Sequence, residues 1–377
     1  MGDAACCPPD PTIVNVTAPL TVTDDERYMR RALELARHGW GQTSPNPMVG
    51  AVIVRDGAIV GEGHHARFGA EHAEPVALAA AGTRAEGATL YVTLEPCTHQ
   101  GARPPCAPAV IRGGIARVVI AALDPNPVAA GGVRVLRAAG IEVEIGVHEA
   151  EARELNAPFF HRFDSDRPWT TLKLAVSLDG AIADAARSRG WLTGEQSRRE
   201  VHRQRAGCDA IAAGIGTVLA DDPLLTVRGP IEPRVSPTRV VFDRRARTPL
   251  DSRIIRSIAE APVTIVTDGS APAREETLER AGAAIVRAAG TGAALRALKT
   301  QGIGSLYVEG GAGLAGSLLE EAGVDRLVIF RASLVLGAGS LRALGDAHSF
   351  TLDDAPRFRI VRRRSFGEDD MTIYALR

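Results

Sequence analysis

Apolar and polar positions repeat along this chain with two different periods, and the period predicts the element. From Asp24 onward, apolar residues recur every three or four positions, which predicts an amphipathic helix that Asp24 and Asp25 cap and that ends at Gly39. The next two segments, MVGAVIV and AIVGEG, have the pattern of strands. They flank Asp56 and Gly57, a dipeptide that favours a type I′ turn because both positions take positive φ, so a β-hairpin is predicted.

Helical and strand patterns alternate through the rest of the first half. In order, the segments are EPVALAAAG, ATLYVTLE, CAPAVIRGG, ARVVIAAL, VRVLRAAG and IEVEIGV, and a single helix, EAEARELNAPFFHRF, follows them. Because such alternation is typical of a sheet layered with helices, we expect an α/β domain over residues 23–165. Residues 1–22 contain several prolines and no sustained period, which predicts a flexible extension.

The polar segment DSDRP marks a predicted boundary between two domains. Beyond it the chain opens with WTTLKLAVSLDGAIA and continues with the strand-like segments RVVFD, PVTIVTD, SLYVEG and RLVIF, which helical patterns separate. A second α/β domain is therefore predicted over residues 166–377. Two domains agree with the length of 377 residues, which exceeds what one hydrophobic core normally serves.

Composition and charge restrict the class of protein. A hydrophobic content of 45% with 24% charged residues is typical of a globular protein, and a net charge of −1 gives no overall attraction to nucleic acid or anionic membranes. No apolar run approaches the roughly 20 residues that span a bilayer, and the start of the chain lacks the features of a signal peptide. We therefore expect a cytoplasmic protein that acts on small molecules, with no nucleic-acid or membrane partner.

The five cysteines are too few for a disulfide framework in a chain of this length. Cys97 and Cys106 lie in YVTLEPCTHQGARPPCAP, and either a disulfide or a shared metal ion would explain the pair. A reducing compartment disfavours disulfides, so the metal is the better hypothesis. Cys6, Cys7 and Cys208 receive no role.

A histidine and a glutamate complete the candidate metal site. His72 and Glu74 lie in EHAEPVAL, just before a helix that Pro75 is suited to start. His72, Cys97 and Cys106 together suit zinc, and three ligands rather than four leave a coordination position for water. Glu74 is then available to take a proton from that water and to pass it to a leaving amine. The pattern matches the zinc deaminase signature, with eight residues between the cysteines instead of two, and predicts hydrolytic deamination.

Three alternatives stay open at this level. His99 could complete a Cys2His2 tetrahedron, in which case the zinc would be structural and Glu74 would have no part in it. A nucleic-acid deaminase would share the HxE pattern, but it pairs HxE with PCxxC and a basic groove, and this sequence has neither. Outside catalysis, the chain could be a binding or scaffold protein built on a structural zinc. His64, His65 and His161 receive no role.

Taken together, several segments resemble the RibD family of bifunctional riboflavin biosynthesis proteins. They are DERYMRRALELARHGWGQTSPNPMVGAVIVRDGAIVGEGHH, HAEPVAL, YVTLEPCTHQGARPPC and DPNP, and, in the second half, LKLAVSLDGAIA, WLTGEQSRREVHRQRAGCDAIAAGIGTVLADDPLLTVR and VEGGAGLAGSLL. The resemblance covers nearly everything after residue 23. It implies a cytidine-deaminase-like three-layer α/β/α domain followed by a dihydrofolate-reductase-like α/β domain.

The resemblance also implies two consecutive reactions. The first is a zinc-dependent deamination of 2,5-diamino-6-ribosylamino-4(3H)-pyrimidinone 5′-phosphate at C2. The second is an NADPH-dependent reduction of the ribosyl group of 5-amino-6-(5-phosphoribosylamino)uracil to ribityl. The implied cofactors are one zinc ion per chain and NADPH, and the implied partners are phosphorylated pyrimidines and further copies of the chain.

For the first domain, the resemblance gives the zinc ligands and Glu74 the roles already inferred from the residues. It assigns Asn46 and Asn126 to the pyrimidine, although both also suit Asn-Pro turns. Arg103 in GARPPC stands one residue away from the basic position of the family's GKTPPC or GRTPPC, and we expect it to reach a substrate phosphate.

A glycine-rich turn in the second half, SLYVEGGAGLAGSLLEEAG, is suited to a nicotinamide cofactor. Gly311, Gly313 and Gly316 form the pattern GxGxxG, which alone would suggest a Rossmann fold. However, the motif comes about 140 residues into its domain, and no acidic residue closes a second strand about 20 residues later. The dihydrofolate-reductase-like fold of the family, with a mixed sheet and a late glycine turn, accommodates the motif better.

Most of the remaining site residues of the second domain are implied by the resemblance, whereas Ser188 and Arg244 stand where the chain departs from the family's pattern. The expected cofactor-binding residues are Ala175, Trp191, Thr217, Asp221, Arg244, Gly311, Ala312, Gly313, Leu314, Ala315, Gly316 and Ser317. The expected substrate-binding residues are Ser188, Arg205, Leu225, Arg228 and Glu309.

Some of these assignments have alternatives. Arg205 could be a solvated helix charge and Arg244 a surface arginine, whereas guanidinium groups at these positions would suit a ribose phosphate and the 2′-phosphate of NADPH. Ser188 reaches the substrate only if its loop is shifted by one residue. The proton source of the reduction stays open between Lys173, Asp221 and water.

Overall fold

The computed structural model describes residues 23–101, 103–229, 231–321, 323–345 and 349–377. The predicted extension over residues 1–22, with Cys6 and Cys7, lies outside the described residues. Within the described ranges, no helix is both long and apolar enough to cross a membrane.

Helix α1 (Asp24–Ala36) has a different cap from the one predicted. The Thr23 hydroxyl accepts a hydrogen bond from the Glu26 N–H at 3.2 Å, and the Glu26 carboxylate accepts one from the Thr23 N–H at 2.9 Å. This reciprocal pair is a capping box, so the prediction that Asp24 and Asp25 cap the helix is wrong. Both aspartates lie in the first turn, where their negative charge is favourable near the helix N-terminus.

The first half contains a five-stranded sheet in the order β2-β1-β3-β4-β5. Its strands are β1 (Gly50–Arg55), β2 (Ala58–His64), β3 (Thr89–Leu94), β4 (Arg117–Ala122) and β5 (Glu142–Ile145). Strand β1 is antiparallel to β2 and β3, whereas β3, β4 and β5 are parallel. The hairpin prediction is confirmed, since Asp56 and Gly57 have φ angles of 52° and 75°.

Helices cover both faces of this sheet. They are α1, α2 (Ala73–Ala81), α3 (Cys106–Arg112), α4 (Gly132–Ala138), α5 (Glu149–Leu155) and α6 (Ala157–Asp164). Ile53 of β1 packs with residues of α2, α3 and α4, and the adjacent Val52 packs with residues of α1, α5 and α6. Because successive side chains of a strand point to opposite faces, the result is the expected three-layer α/β/α arrangement.

The segment EAEARELNAPFFHRF forms two helices, α5 and α6, where one was predicted. Asn156 separates them, and Pro158 in the first turn of α6 has no N–H to continue the hydrogen bonding of α5. The Asn156 amide accepts from the Met48 N–H and donates to the Met48 carbonyl, both at 2.8 Å. The break therefore holds the loop before β1, which carries Asn46.

The second half contains a nine-stranded mixed sheet in the order β11-β10-β9-β8-β12-β6-β13-β16-β15. Its strands are β6 (Trp169–Val176), β8 (Ala210–Gly214), β9 (Thr238–Phe242), β10 (Val263–Thr267), β11 (Ala284–Arg287), β12 (Ser305–Glu309), β13 (Arg326–Arg331), β15 (Phe358–Phe366) and β16 (Asp369–Leu376). Strands β7 (Ala181–Ala183) and β14 (Leu341–Arg342) pair separately. The mixed sheet agrees with the resemblance, and its order is not that of a Rossmann fold.

Helices also flank the second sheet. They are α7 (Glu195–Ala206), α8 (Ile215–Asp221), α9 (Arg253–Arg256), α10 (Pro272–Arg280), α11 (Thr291–Thr300) and α12 (Ala312–Glu320). Leu295 of α11 and Leu318 of α12 pack in one core, and Val218 of α8 and Leu278 of α10 pack in another. Strands β6, β8 and β12 are parallel, so their carboxyl ends share one edge, from which α8 and α12 begin.

The two halves contact each other along a seam. Trp40 Nε1 donates to the Arg203 carbonyl at 2.8 Å, and Ser44 Oγ donates to Asp209 Oδ1 at 2.7 Å. The predicted domain boundary near residue 165 falls between α6 and β6 and stays a prediction.

Candidate active sites

Three separate elements bring His72, Cys97 and Cys106 together. His72 is the N-cap residue of α2, Cys97 lies in the loop after β3, and Cys106 is the first residue of α3. His72 Nδ1 lies 3.2 Å from Cys106 Sγ and 3.6 Å from Cys97 Sγ. The Cys106 N–H lies 3.4 Å from Cys97 Sγ. Both sulfurs are free thiols, so the disulfide alternative is wrong.

This spacing fits a zinc ion. Tetrahedral zinc, with bonds of about 2.1 Å to nitrogen and about 2.3 Å to sulfur, sets such ligands about 3.6 Å apart. The three ligand atoms lie within 4.8 Å of one another, and among the described residues no further histidine, cysteine or carboxylate joins them. His99, the alternative fourth ligand, lies outside the group. A zinc ion here would have three protein ligands.

Hydrogen bonds within the ligand group shift the pKa values of its two thiols in opposite directions. The pKa of the Cys97 thiol is lowered because Cys106 and His72 donate hydrogen bonds to its sulfur. The pKa of Cys106 is raised because it acts as a donor to Cys97 and is buried. These hydrogen bonds therefore favour the thiolate form of Cys97, and thiolate is the form of cysteine that binds a metal.

Glu74 lies in the first turn of α2, buried beside the ligand group. Burial raises the pKa of its carboxyl to about 7. A carboxyl with a pKa near neutrality can both take up and release a proton under physiological conditions. Its position and chemistry agree with the shuttle role inferred from the sequence.

A cavity of about 260 Å³ opens over this group. Six of the site residues predicted from the sequence line this cavity: Asn46, His72, Glu74, Cys97, Arg103 and Asn126. His99 also lines the cavity, and its buried Nδ1 has no hydrogen-bond partner among the residues that the structure describes.

His65, to which the sequence gave no role, holds Asn46 in the cavity wall. The His65 side chain is buried, and burial lowers its pKa, so the ring is neutral near pH 7. Its Nδ1 lies 3.0 Å from the Glu71 carbonyl, which can only accept, so Nδ1 carries the proton. Nε2 is then the acceptor for the Asn46 amide nitrogen at 3.3 Å. The Asn46 carbonyl oxygen is left as an acceptor for a ligand.

Asn126 has both of the properties weighed from the sequence. Its side-chain oxygen accepts from the Val128 N–H at 3.1 Å, which is the hydrogen bond of a turn, and the residue lines the cavity. The Asn126 N–H donates to Asp124, whose pKa burial raises to about 6. Asn126 therefore shapes the loop and also faces the cavity.

Arg103 bridges two loops at the cavity. Its Nε and Nη2 donate to the Gly69 carbonyl at 3.1 and 2.9 Å, and its Nη1 lies 2.8 Å from Glu71 Oε1. Both partners belong to the loop that leads to His72. The guanidinium thus lies at the cavity wall and pairs with a carboxylate of the chain itself.

The second candidate site, which we call the second cleft, is the edge of the sheet at the carboxyl ends of the central strands, where α8 and α12 begin. The Cβ of a residue replacing Gly311, the N-cap residue of α12, would lie 3.1 Å from Thr217 Oγ1 of α8. At Gly313 the corresponding space is open. The glycine turn therefore lets a ligand approach the N-terminal N–H groups of α12, as the pyrophosphate of a nicotinamide cofactor requires.

Charged residues from three elements meet beside this cleft. Arg205 of α7 pairs with Glu309 at the end of β12, and it also donates to the Thr226 carbonyl at 2.7 Å. Lys173 of β6 is opposite Glu309 in the sheet register. Burial opposes ionisation of Glu309, but Arg205 and Lys173 outweigh it and lower its pKa to about 2. Arg205 is buried, so the alternative of a solvated helix charge is wrong.

His202, one turn before Arg205 on α7, was missed from the sequence. Its Nδ1 accepts from the Arg228 N–H at 3.0 Å. Burial, with the charges of Arg205 and Arg228, lowers the pKa of His202 to about 4, so the ring can accept this hydrogen bond at neutral pH. His202 therefore positions the Arg228 loop, in which Leu225 takes a φ of 51°. In the sequence, only the spacing of three residues between His202 and Arg205 could have indicated this role of His202.

The other predicted reductase residues lie on several different elements and loops. Ala175 lies near the end of β6, and Asp221 ends α8, with a pKa that burial raises. Trp191 is 74% exposed and lies under the Arg198 guanidinium. Ser188 is exposed, with its N–H bonded to Asp184. The Arg244 side chain is 81% exposed and pairs with Asp268 at 3.3 Å. This position agrees equally with a surface arginine and with a cofactor-binding residue.

Family models match both halves of the chain. The cytidine and deoxycytidylate deaminase zinc-binding region matches residues 22–122, and the RibD C-terminal domain matches residues 168–371. The chain is 43% identical to riboflavin biosynthesis protein RibD of Aquifex aeolicus, over 92% of this chain and 96% of that protein. It is 41% identical to RibD of Escherichia coli, over 92% and 97%.

Solved structures of similar proteins have the same overall fold. The structure of Acinetobacter baumannii RibD matches with a TM-score of 0.83 at 37% identity, covering 94% of this chain and 99% of that one. The diaminohydroxyphosphoribosylaminopyrimidine deaminase/5-amino-6-(5-phosphoribosylamino)uracil reductase of Thermotoga maritima matches with a TM-score of 0.82 at 34% identity, with the same coverage.

Proposed function

The chain belongs to the RibD family, and from this premise we propose which of its residues carry out the two reactions of riboflavin biosynthesis. It is a bifunctional enzyme with a zinc-dependent deaminase domain and an NADPH-dependent reductase domain. Its substrates are the phosphorylated pyrimidines of these two steps.

In the first reaction, His72, Cys97 and Cys106 would hold the zinc ion. The bound metal would supply a water of lowered pKa as the nucleophile for C2 of the diaminopyrimidine. Glu74 transfers the two protons of this water in turn, the first to the ring nitrogen beside C2 and the second to the amino group, so that ammonia leaves and C2 becomes a carbonyl carbon. Because its pKa is near 7, neither direction of this transfer is strongly uphill at neutral pH.

Neighbouring side chains bind the substrate. The Asn46 oxygen, oriented by His65, accepts from a ring N–H or amino group of the pyrimidine, and Asn126 completes the ring contacts. Arg103 releases Glu71 and binds the ribose phosphate in its place, since a phosphate is the stronger partner for a guanidinium.

In the second reaction, the backbone from Gly311 to Ser317, with Thr217, would bind NADPH, which would supply a hydride for C1′ of the ribosyl group. The bond from C1′ to the ring oxygen breaks, and this oxygen takes up a proton. Arg205 and Arg228 bind the sugar phosphate. Glu309 keeps Arg205 extended toward the substrate, and His202 holds the loop of Arg228.

The single observation that carries the deaminase assignment is the buried carboxyl of Glu74 beside a three-ligand zinc group in a cavity. The test supplies purified protein with zinc, NADPH and the diaminopyrimidine ribotide. Ammonia release together with NADPH oxidation is the expected result, and the absence of both would overturn the assignment. Cys97→Ser should lose zinc, whereas Glu74→Gln should retain it.

We also propose the domain limits 23–165 and 166–377, a homo-oligomeric assembly and a cytoplasmic location. The position between α6 and β6 supports the domain limits, the free thiols among the described residues support the location, and the assembly is carried over from the resemblance to the family. Light scattering of the purified chain tests the assembly, and expression of residues 166–377 alone tests the boundary through NADPH oxidation with the deaminated substrate.

A further inference from the structure

A cavity of about 440 Å³ lies in the seam between the two halves, and Asn46 is the one residue assigned to either reaction that is found among the described residues of its wall. Its walls come from the loop before β1, from α6 and from the amino ends of β6 and β12. Glu309 and the glycine turn lie at the opposite, carboxyl ends of the same strands. The seam cavity is therefore distinct from the reductase cleft. It adjoins the deaminase cavity, with which it shares Asn46 and Phe159.

The charges in its wall are predominantly positive. Arg326 pairs with Glu154, but Arg162 and Arg234 have no carboxylate within 4.0 Å among the residues that the structure describes. Asp209 also lines the cavity, and both of its carboxylate oxygens already accept hydrogen bonds, from Ser44 Oγ and from the N–H groups of residues 304 and 305. Two guanidinium groups are thus left without a counter-ion.

The wall also makes room for one of these groups. A Cβ at Gly304 would lie 2.7 Å from Arg162 Nη2 and 3.1 Å from Asp209 Oδ2, so only glycine allows the guanidinium its observed position. An anion at this point would meet donors that the protein itself leaves unsatisfied.

Three aromatic side chains are also part of the wall. Trp40, Phe159 and Trp169 line the cavity, and such rings stack on planar heterocycles. Guanidinium groups next to aromatic rings are the combination that binds a phosphate monoester of a planar base.

We propose that the seam cavity is a binding site for a phosphorylated pyrimidine ribotide, with the phosphate on Arg162 and Arg234 and the ring against Trp40 or Trp169. The choice of a pyrimidine rests on the proposed function, because the adjoining deaminase cavity receives and releases such ribotides. A molecule that leaves the zinc site through the side of Asn46 enters this cavity first.

The tryptophans provide a selective test. The chain has three, and Trp191 is the one outside the seam, so Trp191→Phe leaves Trp40 and Trp169 as the fluorescent reporters. Uridine 5′-phosphate, titrated into this protein, should quench the fluorescence saturably, and uridine should not. Arg162→Met and Arg234→Met should each weaken the apparent affinity about tenfold, which corresponds to the loss of one charged hydrogen bond.

Controls separate this site from others. Arg359→Met, a change on the exposed strand β15, should leave the titration unchanged. Glu74→Gln should also leave it unchanged, so a failed deaminase assignment does not affect the outcome. Equal quenching by adenosine 5′-phosphate would indicate a general nucleotide site in place of a pyrimidine site. No saturable quenching, or arginine variants that bind uridine 5′-phosphate as tightly as the Trp191→Phe protein does, would overturn the proposal.

Discussion

The two active sites of this chain are built in different ways. The zinc group and Glu74 lie within 35 residues of sequence, from His72 to Cys106, and helix starts hold His72, Glu74 and Cys106 in place. The reductase cleft brings together Lys173 of β6, Arg205 of α7 and Glu309 of β12, three elements that are far apart in the sequence. A metal site needs particular ligand types at short range, whereas an anion-binding cleft needs only charges that the fold brings together.

This difference predicts that a single change abolishes the first activity with little effect on the second. Glu74→Gln should reduce ammonia release about 10³-fold, because the amide cannot transfer a proton. Zinc content, measured by mass spectrometry, should stay at one ion per chain. Reduction of the deaminated ribotide should be unchanged. Retained deamination in this variant would remove Glu74 from the mechanism.

A change in the reductase cleft should instead affect activity and stability together. Arg205→Met should lower kcat/KM for the ribotide about 10²-fold and lower the free energy of unfolding by about 3 kcal/mol, since it leaves the carboxylate of Glu309 buried without its partner. The double variant Arg205→Met/Glu309→Gln should recover most of the stability and none of the activity. A stable single variant would contradict the paired arrangement.

The same pair predicts a pH dependence. Because the pKa of Glu309 is lowered from 4.5 to about 2, its stabilising effect is fully present above the unfolded value of 4.5. The effect is lost as the pH falls toward 2. Denaturation of the wild-type protein between these values should therefore be steeper than that of the double variant.

The Arg103 bridge should give a smaller effect, confined to binding. Arg103→Met should raise the deaminase KM about tenfold with kcat unchanged, through loss of one charged contact to the phosphate. Glu71→Gln should lower KM, because the guanidinium then has no competing carboxylate. Steady-state kinetics of ammonia release distinguishes the two, and a raised KM in both variants would indicate a purely structural bridge.

The smallest effect is expected far from both sites. Thr23→Ala removes the capping box of α1 and should lower the free energy of unfolding by about 1 kcal/mol. Both activities should stay unchanged. Thermal unfolding monitored by circular dichroism measures the loss, and Asp24→Ala, which leaves the Thr23 cap in place, is the matched control.

The sequence predicted best what depends on local chemistry. The Asp56–Gly57 turn and the zinc group follow from residue type and spacing, and the structure agrees with both. The helix break at Asn156 was missed because it depends on a hydrogen bond to Met48, more than a hundred residues earlier in the chain. For the same reason His65 had no visible signal and His202 had only its spacing from Arg205, since each acts on a residue that only the fold brings near.

The register of β6 and β12 has a consequence for the timing of catalysis. One end of these strands borders the seam beside the deaminase cavity, and the other end carries Lys173 and Glu309. Five residues of strand, about 16 Å, thus form a wall between the two reactions. We therefore expect the intermediate to diffuse around this wall, so that a coupled assay begins with a lag and a scavenger in the buffer intercepts the intermediate.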